Sequence, residues 1–128
     1  MEHLKITLLS LLVLTLASFT ILQTTQNNKE LIIGTWIPDG SPSQKWIFYS
    51  NGTCHEYDNG VLDTRYSYTI EETTSEDGKL KFSTLNIINI DDSNDTYKYD
   101  INGISETEMY LDYQGDLNTK LQKYTRQQ

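Results

Sequence analysis

Gly34-Thr35-Trp36 is the feature that most constrains what this chain can fold into. It follows Leu31-Ile32-Ile33 and opens a region in which apolar and polar residues alternate. A glycine two residues before a tryptophan lets two backbones pass closely, and the indole then plugs the end of a closed sheet. Near the other end of the sequence stands Tyr124-Thr125-Arg126. Arg126 supplies a cation that can lie over the Trp36 ring. If the first and last strands pair, the sheet closes and loses its edges. Gly34, Trp36 and Arg126 are therefore read as the closure of a small barrel.

Turn residues interrupt the alternation at intervals typical of sandwiches and barrels. Strands are expected at 33–37, 44–49, 53–57, 64–71, 96–101, 106–113 and 118–126, and residues 79–90 hold either two strands or one long bent one. Turns are expected at Pro38-Asp39-Gly40, Asn51-Gly52, Asn59-Gly60, Glu76-Asp77-Gly78, Asn102-Gly103 and Gln114-Gly115-Asp116. Asn-Gly is the strongest short hairpin signal of these. One helical turn is expected at 29–32. Sequential hairpins favour an all-β, up-and-down antiparallel barrel of eight strands, with a two-sheet sandwich as the alternative. In the last strand Leu121 and Tyr124 fall on opposite faces unless a bulge intervenes.

Four pieces in order carry a resemblance: Leu31-x-x-Gly34-Thr35-Trp36; Trp46-x-Phe48-x-x-Asn51-Gly52-Thr53; Tyr99-x-Ile101-x-Gly103 with Met109-x-Leu111; and Tyr124-x-Arg126. Across about residues 29–127 the chain resembles the short bacterial lipocalin-like domains of secreted proteins, within the calycin group. The resemblance implies an eight-stranded barrel with Trp36 and Arg126 packed at its closed end. It implies no particular ligand. The chain is shorter than a typical lipocalin, which argues against large lipophilic cargo.

Residues 1–22 are of another kind. One lysine precedes an uncharged apolar run from Ile6 to Leu22, read as a signal peptide, with an uncleaved membrane anchor as the alternative. Residues 23–30 are polar and expected to form a tether, leaving 31–128 as the domain. An exported protein follows, periplasmic or extracellular, or held at the cytoplasmic membrane if the segment stays. Cys54 is the sole cysteine, so an internal disulfide is excluded. It is expected to be a small, partly buried strand residue without redox work, and serine is expected to be tolerated there. Eighteen acidic against ten basic residues give a net charge of −8. Such a surface repels nucleic acid and anionic lipid.

Catalytic patterns are sparse. Cys54 and His55 are adjacent, so on a strand they point to opposite faces and cannot form a nucleophilic pair. No Gly-x-Ser-x-Gly elbow accompanies His55. Asp91–Asp95 offers oxygens without the spacing of a calcium loop and reads as an acidic turn. Glu106 and Glu108 are expected on one solvated strand face. No metal or cofactor is expected.

The aromatics carry the best ligand argument. Trp46, Phe48, Tyr66, Tyr68, Tyr97 and Tyr99 fall on the more apolar faces of their strands and either line a cavity or fill a narrow barrel. The expected function is that of a non-enzymatic monomer binding a small apolar or aromatic molecule. The alternative is a filled barrel acting as a protein-interaction or inhibitor module. An open interior favours the first, and a packed interior with an exposed aromatic patch the second. A desolvated carboxylate in a cavity would instead point to an enzyme.

Overall fold

The computed structural model describes residues 27–116, 118 and 120–128. The signal or anchor expected at 1–22 and the first part of the tether lie outside the described residues. Asn27–Glu30 are not a free tether. They belong to the short helix α1 (Asn28–Leu31), because the Asn27 side chain caps it by accepting from the Glu30 backbone N–H.

Eight strands follow: β1 (Gly34–Pro38), β2 (Gln44–Phe48), β3 (Thr53–Asp58), β4 (Val61–Thr74), β5 (Lys81–Asn89), β6 (Thr96–Ile104), β7 (Glu108–Tyr113) and β8 (Gln122–Arg126). Each pairs antiparallel with the next, and β1 pairs with β8, so the sheet is a closed up-and-down barrel. Alternation drives the closure. Trp36, Trp46, Phe48, Cys54, Tyr66, Ile70, Leu85, Ile87, Met109, Leu111 and Tyr124 form one buried cluster inside it. Local turn chemistry agrees: Asn59 and Gly60 both take positive φ, 50° and 77°, which a tight hairpin between twisted strands demands.

Several boundaries differ from the sequence expectation. Of the two readings of residues 79–90 the single strand holds, as β5 over Lys81–Asn89, and β4 is longer at both ends than the alternation indicates. Their ladder runs from Tyr66↔Asn89 to Thr74↔Lys81, past the last β3–β4 pair at Thr53↔Ser67. Asn102-Gly103 is not a turn. It lies inside β6, where the register with β7 shifts between Ile101 and Gly103. The reversal falls after it, where the Ser105 hydroxyl accepts from the Thr107 and Glu108 backbone N–H groups. Glu106 thus sits in that turn and does not share a strand face with Glu108. β8 begins at Gln122, so Leu121 lies outside the strand and needs no bulge.

The two ends of the barrel differ. One is covered by α1 and carries the β2–β3, β4–β5 and β6–β7 connections. The other carries the β1–β2, β3–β4, β5–β6 and β7–β8 connections, has no helix over it among the described residues, and is the mouth of the barrel.

Candidate functional site

At the covered end the closure residues meet. Trp36 is fully buried and donates its indole N–H to the Ile32 carbonyl at 2.8 Å. The Arg126 guanidinium lies 4.3 Å from the centre of the Trp36 ring. It donates to the Ile33 carbonyl at 2.6 Å and to the Leu31 carbonyl. One arginine therefore ties the end of α1 to the first and last strands. Gly34 has φ 141°, and a Cβ there would run into the same guanidinium. The hollow beside this plug is lined by Glu30, Leu31, Glu106, Thr107 and Arg126, whose two terminal nitrogens donate to backbone carbonyls.

The six aromatics expected to line a site divide between the two ends. Phe48 and Tyr68 belong to the lower interior. Their rings meet edge to face at 5.0 Å, and the Tyr68 hydroxyl donates to the Tyr49 carbonyl. Trp46, Tyr66, Tyr97 and Tyr99 gather towards the mouth. Trp46 is the centre of that group, with ring centroids 6.2 Å from Tyr66, 6.3 Å from Tyr99 and 6.0 Å from Tyr124. Tyr113 extends it, 6.0 Å from Tyr97 and 5.4 Å from Tyr99. Rings at these separations are in contact, so the barrel is filled at this level. Trp46, Tyr66 and Tyr124 are buried, whereas Tyr97, Tyr99 and Tyr113 are half-buried. The result is a packed aromatic floor, its outermost rings half-buried, at the mouth end of the barrel.

Glu56 stands among these rings. It pairs across β3 with Trp46 and Thr64, just before the register shift at Glu56/Tyr57. It lies on the Cys54 face of the strand, which points inward. The Tyr66 hydroxyl donates to Glu56 Oε2 at 3.1 Å. Burial pushes the Glu56 carboxyl above its usual range, and Asp63 and Asp58 add to the rise. Hydrogen bonding from Tyr66 and the Trp46 side chain opposes it. Burial likewise raises the tyrosine hydroxyls beneath the mouth. Tyr66 and Tyr99 are pushed far up, and Tyr124 to about 12. The floor is thus a layer of neutral hydroxyl-bearing rings around one carboxylate. At the rim, Tyr97 and Asn89 both hydrogen-bond Asp95, which holds that carboxyl below its usual range.

Sequence reasoning missed Glu56, although a signal existed. It lies two residues after the apolar Cys54, so period-two alternation turns it inward. Tyr113 and Tyr124 were assigned to strands but not to the site.

Other candidate chemistry is placed apart. Cys54 is fully buried, and burial pushes its thiol far up. His55 is on the opposite face, its ring 4.9 Å from Tyr49. In the 91–95 loop, Asp92 accepts from the Asn94 backbone N–H, and Asp91 lies 3.7 Å from Arg65. Among the described residues, no group of three His, Cys, Asp or Glu side chains is placed to hold a metal.

The chain matches no protein-family model and no curated protein.

Proposed function

We propose that this barrel is an exported, non-enzymatic, lipocalin-like binding domain that takes a compact ligand at its mouth rather than in a deep cavity. The observation that carries the reading is the floor built from Trp46, Tyr66, Tyr97, Tyr99 and Tyr113 around Glu56. Pockets for small molecules are mainly apolar or aromatic, with a few polar groups that fix orientation. The floor has that composition. Its filled interior argues against long acyl chains, which need an empty barrel. Glu56 is half-buried at a mouth rather than sealed in a cavity, and its hydrogen-bonding partner is a neutral tyrosine, which suits recognition better than proton transfer.

The test is a titration with 2-phenylethanol followed by nuclear magnetic resonance. Its neutral aromatic body matches the floor. The Trp46 indole N–H signal and the rings of Tyr97 and Tyr99 should shift, while the Trp36 signal at the covered end stays still. Saturable binding of one long-chain fatty acid per barrel would overturn the filled-floor reading.

One observation favours a protein-interaction module instead. Leu80 and Phe82 at the far end of the β4–β5 hairpin are 59% and 52% exposed, beside a packed interior. Failure of neutral, cationic and anionic aromatic probes alike at the mouth would leave that reading standing.

A further inference from the structure

We propose that the mouth recognises an organic ammonium ion, a primary or methylated amine carried on a compact apolar or aromatic body. This rests on the mouth-site reading above and adds to it the charge of the ligand.

Glu56 supplies the first observation. Among the described residues it takes part in no ion pair. A carboxylate offers about four lone-pair sites on its two oxygens. Tyr66 and Trp46 use part of that capacity. A half-buried charge without a counter-ion is costly, and an ammonium group would supply both the charge and the donors that are lacking.

The rings supply the second. Tyr66 and Tyr97 stand 6.4 Å apart at 79°, edge to face, and both rings lie beside Glu56. Tyr113 continues the wall beside Tyr97 and Tyr99. A cation within about 6 Å of such a ring is attracted by its quadrupole, and methylated ammonium groups suit this contact well.

The charges that act on Glu56 and its neighbouring rings are acidic, whereas Lys120, in the β7–β8 connection at the same end, is exposed. Asp58 and Asp63 act on Glu56, and Asp95 acts on Tyr66 and Tyr97. The cations nearest in sequence face outward. Lys45 lies over the Tyr57 ring, Arg65 pairs with Asp91, and Lys123 pairs with Glu108 and Asp39. An anion at Glu56 would therefore meet like charge, and a neutral molecule would leave Glu56 without an ion-pair partner among the described residues. The filled floor fixes the depth, so only the head group descends. At the mouth end Val61, Ile90 and Leu121 are 69%, 50% and 50% exposed, and they offer apolar contact to the body that stays above.

The experiment compares three probes of one shape by calorimetry at neutral pH: 2-phenylethylamine, 2-phenylethanol and phenylacetate. The amine should bind at least tenfold more tightly than the alcohol, and phenylacetate should bind most weakly. Glu56→Gln keeps an acceptor for Tyr66 and should erase the amine's tenfold advantage, read as the ratio of amine to alcohol affinity within the same variant. Lowering the pH through the Glu56 range should weaken the amine alone. Equal binding of amine and alcohol, or an advantage that survives in Glu56→Gln, would overturn the charge assignment and leave the mouth site standing. Absence of binding by all three would overturn both.

Discussion

Trp36 and Arg126 show how much of a closed sheet can rest on one pair of side chains. The indole fills the covered end, and the guanidinium above it satisfies carbonyls that α1 and its exit would otherwise leave without donors. Trp36→Ala should cost about 3–5 kcal/mol, as other large truncations in cores do, and urea unfolding measures it. A loss below about 1 kcal/mol would mean the plug does not hold the barrel shut. Cys54 makes a second case. Serine was expected to be tolerated there, but the residue is fully buried, and a hydroxyl without a partner costs roughly 1–3 kcal/mol. Cys54→Ser should therefore lower the unfolding midpoint more than Cys54→Ala. The native thiol should also resist disulfide reagents until the barrel unfolds, since burial holds it protonated. Rapid modification of the folded protein would contradict this.

Among the elements, β4 and β5 depart most from what the sequence makes legible. Alternation exists only where one face of a strand is buried. Glu72-Thr73-Thr74 run past β3 and are exposed, so neither of their faces meets a core and no apolar period marks them. They are strand because their backbone pairs with β5. Asn102-Gly103 failed for the opposite reason. The dipeptide suits a turn, but a register shift inside β6 absorbs it, and Ser105 makes the reversal. Elements with both alternation and agreeing turn residues were readable: β1, β2, β3 and the Asn59-Gly60 turn. Glu56 was hidden because a charged residue on an otherwise inward face is commonly read as solvated. Extension beyond the barrel also lowers local stability. Amides of 72–74 and 81–83 should exchange with deuterium before those of Leu85 and Ile87. The reverse order would show that the ribbon is part of the cooperative core.

For the whole molecule, an acidic barrel holds an inward carboxylate that has no counter-ion among the described residues, against the interests of its own stability. Such groups cluster at functional sites, where recognition outweighs the cost of burial. The linkage has a definite sign. A carboxyl whose folded pKa lies above its unfolded value leaves the folded state holding more protons in the interval between them. Its stabilising contribution is complete below the unfolded pKa and is lost as pH rises through the folded one. The direct measurement is the unfolding free energy of the native chain and of Glu56→Gln across about pH 3 to 8, a span that brackets carboxyl titration. The account predicts that Glu56→Gln gains stability relative to the native chain as pH rises through the Glu56 range, and keeps that gain at neutral pH. A variant that becomes relatively less stable with rising pH would contradict it, because the ionised carboxylate would then be a structural partner of Tyr66 and not a group held in reserve for a ligand.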